Sequence, residues 1–360
     1  MSKIVSIGTA VPAYKHQQDD ILDFMQRVYA VNEIEKRKLK FLYHQSGIES
    51  RYSVIPDYSL PAEAWQFFPA FENLEPFPSL EKRMQWYSKH AATLSMNAIN
   101  DCINGHSGKK ITHLITVSCT GMSAPGLDLE VLELLSLPST TFRTSVNFMG
   151  CYAAIQALTL ADAFCKADKT ANVLIVCTEL CTLHFQKEYT PDNITSSLLF
   201  GDGAAAVLVT GNNNEEGLMI DHFYSTVATK GKQDMAWELS SKGFLMTLSA
   251  YIANLVEEDF DQLVSNAFDS TGLNKSDITH WCIHPGGRKI LEAVHNSLGF
   301  TNGQLKYSYD VLNDYGNMSS PTVLFVLKEI MKELDQKKKN KIFGAAFGPG
   351  LTMQTIILSA

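Results

Sequence analysis

The sequence predicts a layered α/β fold built from two related halves, and three observations lead there. Strand-like and helical segments alternate along the chain, the pattern of buried sheets covered by helices. A set of landmarks also occurs twice. Ile111-Thr112-His113, Gly150-Cys151 and Phe200-Gly201-Asp202-Gly203 in the first half are matched by Ile278-Thr279-His280, Gly316-Asn317 and Phe347-Gly348-Pro349-Gly350 in the second. Cys151 stands 38 positions after His113, and Asn317 stands 37 after His280. Two copies of one αβ unit are therefore expected to face each other across a pseudo-twofold axis, with Cys151 and Asn317 approaching it from opposite sides. Third, the stretch 153–165 is apolar almost all round, as a helix buried on every side must be.

The elements follow in order. Apolar runs at 3–7, 113–117, 173–177, 204–209, 279–283, 342–346 and 352–358 read as strands. Between them, 153–165 reads as the first buried helix and 320–334 as its counterpart, with an apolar face at Val323, Leu324, Val326, Leu327 and Ile330. The run Gly211 to Gly217 combines turn formers and acids without apolar periodicity, which divides the chain into halves 1–212 and 213–360. Segments 41–90 and 218–245 are aromatic, look irregular and stand outside the repeat, so pockets and lids are expected there. Lys337-Lys338-Lys339 reads as a solvated helix end complementing the macrodipole.

At 360 residues, with 45% hydrophobic and 19% charged content, the chain has enough material for one large two-lobed core. No apolar run has membrane-spanning length, and the start MSKIVSIGTAVP reads as a strand, so a cytoplasmic protein off the membrane is expected. A net charge of -8 argues against nucleic-acid binding. Glu35-Lys36-Arg37-Lys38-Leu39-Lys40 is the densest basic cluster of the first half: a solvated helix face, or a contact for a small phosphorylated ligand. Seven cysteines lie mostly in apolar stretches, so free thiols are expected, and Cys177 with Cys181 lacks a second pair to complete a metal site.

Three residues carry the chemistry. Cys151 opens the apolar helix, where the positive end of the dipole favours a thiolate nucleophile; a buried structural cysteine is the competing reading. His284 ends a strand in Cys282-Ile283-His284-Pro285-Gly286-Gly287, which leaves its imidazole at a loop mouth, able to pair with a thiolate and donate a hydrogen bond. His113 and His280 illustrate the alternative, a strand-end histidine satisfied by backbone. Asn317 opens a helix, either as a plain N-cap or as a neutral donor to an enolate or thioester oxygen. A thiol with imidazole and amide donors and no acidic base suits carbanion formation by loss of carbon dioxide.

Taken together, IVSIGTAVP, ITHLITVSCTGMSAPGLDLE, LLFGDGAAAVLV, HPGGRKIL, YGNMSSPTVLFVL and FGPGLTMQTIIL resemble the type III polyketide synthases, the chalcone and stilbene synthases and their bacterial relatives. The resemblance implies a thiolase-like fold, two pseudo-symmetric αβ halves in an αβαβα layering, and a homodimer whose seam includes the loop of Ala124. It implies Cys151 as the acyl carrier, His284 and Asn317 as the decarboxylation site, Phe200 as a gating aromatic, and the Phe347 loop as a cavity wall. Substrate-binding positions implied by the resemblance are Met246, Cys119, Thr120, Cys181, His184, Ser319, Gly286, Gly287 and Lys38, with Trp237 beside them. Met246 stands where plant members carry a second gating phenylalanine, and Phe41 and Gln45 stand where they carry further phosphate-binding bases, so a plant phenylpropanoid starter is not expected. Substrates would be acyl-CoA and malonyl-CoA, with no metal or other cofactor, and the product would be of pyrone or resorcinol type; Met122, Leu245 and Met246, as flexible apolar walls, favour an aliphatic starter. An initiating β-ketoacyl synthase of fatty-acid synthesis shares the three roles but has Gln-Ala-Asn after the histidine, where this chain has Pro285-Gly286-Gly287. Thiolase needs a second catalytic cysteine, which the Phe347 loop lacks.

Overall fold

The computed structural model describes residues 2–29, 32–71, 73–106, 108–249, 251–301, 303–335 and 338–360. The first half runs β1 (Lys3–Ala10), β2 (Tyr14–Gln17), α1 (Gln18–Val28), α2 (Glu33–His44), β3 (Ser50–Ser53), α3 (Leu80–Ile103) and β4 (His113–Ser118). It continues through α4 (Leu127–Leu134), β5 (Phe142–Asn147), α5 (Ala153–Ala167), β6 (Asn172–Leu180), α6 (Pro191–Leu199) and β7 (Asp202–Thr210). The second half has β8 (Leu218–Val227), β9 (Met235–Ser240), β10 (Gly243–Leu248), α7 (Ile252–Asp269), β11 (His280–Ile283) and α8 (Arg288–Ser297). It closes with α9 (Lys306–Tyr315), α10 (Thr322–Glu333), β12 (Lys341–Gly348) and β13 (Thr352–Ser359).

Among the described residues, nine strands form one mixed sheet in the order β11-β12-β13-β8-β1-β7-β6-β4-β5. Read outward from the β8–β1 junction, both arms repeat the same pairing: β1–β7–β6 and β8–β13–β12 are antiparallel, then β6–β4 and β12–β11 are parallel. The repeated Ile-Thr-His starts its strand in the same way twice. The Thr112 hydroxyl accepts the Asn172 N–H at 2.9 Å, and the Thr279 hydroxyl accepts the Lys341 N–H at 3.0 Å. Each hydroxyl also contacts Nδ1 of the following histidine, at 2.9 and 2.8 Å, so His113 and His280 are anchored by a side chain rather than by backbone.

Side-chain alternation sorts the strands' residues into two cores. Ile115, Val117, Val173, Ile175, Val207, Ile342 and Ile356 join α5 and α10 in a central core, while Leu114, Leu174, Leu208, Phe343 and Ile357 face an outer core with α3 and α7. Five layers result, αβαβα, and because both sheet faces are buried the strands read as unbroken apolar runs. α5 and α10 are the middle layer, and their apolar character on several sides follows from lying between the two arms.

Several expectations need correction. Segment 218–245 is not irregular: β8 is central in the sheet, and β9 and β10 form a hairpin. Segment 41–90 contains the end of α2, all of β3 and the first turns of α3. α10 stops at Glu333, so Lys338 and Lys339 lie beyond its last turn, and Lys338 pairs instead with Asp335 at 3.5 Å. Lys337 lies outside the described residues.

Candidate active site

Three chain segments converge at the ends of the strands. After β5, Phe148 and Gly150 take positive φ values of 58° and 74°, turning the chain so that Cys151 sits in a single 3-10 turn ahead of α5. A Cβ on Gly150 would lie 2.2 Å from Pro349 Cδ, so only glycine fits. His284 follows β11 with its backbone fixed: its N–H donates to the Ala345 carbonyl at 2.8 Å and its carbonyl accepts from Gly286 at 2.9 Å. Asn317 follows Gly316, another left-handed glycine at φ 66°. Its N–H donates to the Leu199 carbonyl and its carbonyl accepts from Gly201, a bridge that pairs it with Phe200.

The Asn317 amide is oriented by two partners. Its Oδ1 accepts from the Ser319 N–H at 2.8 Å, and its Nδ2 donates to the Gly286 carbonyl at 3.3 Å. Because α10 begins later, at Thr322, this is a local turn contact rather than a helix cap. The Cys151 thiol faces the same oxygen, Sγ to Oδ1 at 3.9 Å. His284 is fully buried, and neither of its ring nitrogens has a hydrogen-bond partner among the described residues. All three residues line one cavity of about 240 Å³. An unsatisfied imidazole aimed at such a space is ready for a ligand.

Burial sets the charge state here, and it reverses one expectation. Cys151 is pushed up to about 11, chiefly by burial, with contacts from Ser319 and Asn317 lowering it and the Glu179 carboxylate raising it. The helix start does not by itself make this thiol a thiolate. His284 is held down at about 3 by burial, so it is a neutral base at physiological pH.

The chamber wall collects most of the remaining expected positions. Cys119, Thr120, Cys181, Phe200, Met246, Gly286, Gly287 and Ser319 all line it, as do Trp237 and, from the Phe347 loop, Phe347 and Pro349. His184 does not. Its Nε2 donates to the Thr120 carbonyl at 2.7 Å, its Nδ1 accepts from the Phe244 N–H at 3.1 Å, and its ring stacks on Phe244 at 4.3 Å. It borders only a smaller pocket of about 40 Å³. Cys181, Phe200, Trp237 and Met246 line both spaces and form the partition between them. Lys38 is exposed on α2, one turn before the lining residue Leu42, and does not reach the wall. Met122 and Leu245 are also exposed and outside it. All seven cysteines are free, and among the described residues no group of three or more His, Cys, Asp or Glu side chains is placed to hold a metal.

Sequence reasoning passed over Glu179, Arg288 and Lys289. Glu179 is fully buried behind the wall. One carboxylate oxygen accepts from the Ser320 hydroxyl at 2.8 Å; the other accepts from the Cys119 N–H at 2.9 Å and the Thr120 hydroxyl at 2.8 Å. It thereby ties the two halves together next to the thiol. Its signal was a lone charge in the Val173–Leu180 run, which is otherwise apolar but for Thr178. Arg288 and Lys289 line the chamber from the start of α8, and their signal was two bases directly after the paired glycines.

Residues 1–213 match the N-terminal domain of chalcone and stilbene synthases, and residues 221–360 match their C-terminal domain. The chain belongs to the chalcone and stilbene synthase family. Membership places it among the type III polyketide synthases, enzymes of decarboxylative condensation. A putative chalcone synthase of Bacillus subtilis is 28% identical over 100% of this chain and 99% of its own length. A probable polyketide synthase of Dictyostelium discoideum is 29% identical over 99% of this chain, which spans only 11% of that much longer relative. Among solved structures, PKS-I of the brown alga Ectocarpus siliculosus superposes with a TM-score of 0.92 at 28% identity, over 99% of this chain and 97% of that one. The type III polyketide synthase domain of Steely1, a type I/III hybrid from Dictyostelium, gives 0.90 at 28% identity, over 99% and 98%. The synthase-family fold therefore extends across nearly the whole chain. No helix among the described residues is long and apolar enough to cross a membrane.

Proposed function

We propose that the protein loads an acyl group from an acyl-CoA onto Cys151, extends it with malonyl-CoA in repeated decarboxylative condensations, and releases a pyrone- or resorcinol-type product. The observation that carries this reading is the unsatisfied His284 imidazole sharing one mostly apolar chamber with the Cys151 thiol and the Asn317 amide. Kept neutral by burial, His284 accepts the thiol proton as sulfur attacks the thioester carbonyl, then passes it to the departing coenzyme A thiolate. When malonyl-CoA loses carbon dioxide, the bond to the carboxylate breaks and its electrons form an enolate. Nδ2 of Asn317 and a protonated ring nitrogen of His284 donate to the enolate oxygen. The enolate carbon attacks the acyl carbonyl, the bond to sulfur breaks, and Cys151 leaves as the thiolate. No step draws on a metal or a further cofactor.

Function divides at 212/213: the nucleophile comes from residues 1–212, and the imidazole and amide from residues 213–360. We take the starter to be aliphatic, because Leu42, Leu198, Leu199, Met246, Leu248 and Ile252 line the chamber. The enzyme would act in the cytoplasm as a homodimer. Light scattering tests the dimer, and mass spectrometry of products from malonyl-CoA with a panel of acyl-CoAs tests the reaction. Turnover of aromatic starters alone would remove the aliphatic assignment. A Cys151→Ala protein that still made condensed product would end the mechanism.

A further inference from the structure

Four chamber-lining residues are solvent-exposed: Leu42 and Gln45 at the end of α2, and Arg288 and Lys289 at the start of α8. The chamber therefore opens to solvent between these two helix ends. One lip is neutral and the other doubly basic. Leaning on the reaction proposed above, we propose that Arg288 and Lys289 form the clamp for the phosphate groups of the coenzyme A carrier, taking over a duty that α2 does not perform here.

Three observations support the assignment. First, α2 offers no charge at the opening: Lys38 stays off the wall, Phe41 is 66% exposed and apolar, and Gln45 is neutral. Second, the basic pair is available. Lys289 has neither an ion pair nor a hydrogen bond among the described residues, and Arg288 spends only Nε, at 2.8 Å on Glu292, leaving its terminal nitrogens to reach an anion. Glu292, with Asp310, borders the shallow outer groove that Arg288 also edges. Third, α8 starts after Gly287 without a side-chain cap: Ile290 and Leu291 donate their N–H groups to the Gly287 carbonyl, while among the described residues those of Arg288 and Lys289 have no acceptor. The fully buried His284 in the same cavity, with both nitrogens unpartnered, independently points to a ligand threading past this helix start. A net charge of -8 leaves a multiply anionic carrier in need of a local basic patch.

Kinetics on two thioester types isolates the clamp. Arg288→Ala, Lys289→Ala and the double variant are compared with the unaltered protein on acyl-CoA and on the matching N-acetylcysteamine thioester, which carries no phosphate. The double variant should raise KM for the CoA thioester roughly tenfold with kcat little changed, and leave KM for the short thioester in place. Added salt should raise KM of the unaltered protein more steeply than that of the double variant. Equal losses on both thioesters, an unchanged CoA KM, or a loss produced by Lys38→Ala and not by these two would overturn the proposal. Titration calorimetry with free coenzyme A gives a second readout independent of turnover: weaker binding by the double variant supports the clamp, and equal binding refutes it. Coenzyme A binding lost in the double variant of a protein that turns over no thioester at all would leave the clamp standing and remove the synthase reading instead.

Discussion

Replacing Glu179 by glutamine tests the buried tie between the halves and the state of the nucleophile together. Burial raises the carboxyl from 4.5 to about 7, against the hydrogen bonds from Cys119, Ser320 and Thr120 that lower it. A carboxyl raised in the folded state contributes fully below its unfolded value, and that contribution is lost as pH rises through about 7. The loss amounts to about 3 kcal/mol once the folded group has ionised. Glutamine keeps the bonding pattern: its oxygen accepts from the Cys119 N–H and the Thr120 hydroxyl, and its amide donates to a rotated Ser320 hydroxyl. Glu179→Gln should therefore match the unaltered protein within about 1 kcal/mol at pH 5 and exceed it by about 3 kcal/mol at pH 8.5, close to 4 °C in Tm for a chain of this length. Glu179→Ala strands three buried donors and should lose at least about 3 kcal/mol at pH 5, a deficit that shrinks by about 2–3 kcal/mol at pH 8.5 because the cost of the ionised carboxylate is gone as well. Scanning calorimetry across pH 5 to 8.5 reads these differences, and the pH midpoint of Cys151 alkylation should fall in Glu179→Gln because a carboxylate that raises the thiol is gone. A Tm difference that stayed constant with pH, or an alkylation midpoint that did not move, would refute the reasoning.

Gly150→Ala puts a methyl into Pro349 at a left-handed φ, so it should cost about 2–4 kcal/mol and, by displacing Cys151, lower kcat by about 100-fold; calorimetry and steady-state rates check both. Asn317→Asp removes the amide donor and sets a carboxylate against the Gly286 carbonyl, so carbon dioxide release from malonyl-CoA should fall about 100- to 1,000-fold while radiolabelled starter still loads onto Cys151. Loss of loading as well would show that the amide serves more than decarboxylation. Met246→Ala thins the partition between the two pockets and should raise kcat/KM for a starter two carbons longer, relative to the shorter one, by about tenfold; an unchanged ratio would show that Met246 does not limit chain length.

The duplicated frame was legible because strands buried on both faces carry unbroken apolar runs and because Ile-Thr-His, Gly-Cys and Gly-Asn mark equivalent corners. β8 escaped because its Asp221-His222-Phe223-Tyr224-Ser225 stretch is only partly buried, so its pattern does not separate it from a loop. β5 escaped for a related reason: it is an edge strand with most of its side chains exposed. The corner residues of the site announced themselves through the glycines beside them, which a sharp turn requires. Their protonation did not, since it depends on how much of the surrounding chain excludes water. Lys38 drew attention as part of a basic run, yet a helix face is settled by what packs against it, and α2 turns that lysine to solvent.

The short bridge between Phe200 and Asn317 has a mechanical consequence. The ring that divides the two spaces and the amide beside the sulfur hang from main-chain segments bonded to each other, so neither segment travels alone. Making room for a bulkier guest by shifting the backbone beneath that aromatic would tug the carboxamide out of alignment, which couples the size of what is admitted to the speed with which it is processed.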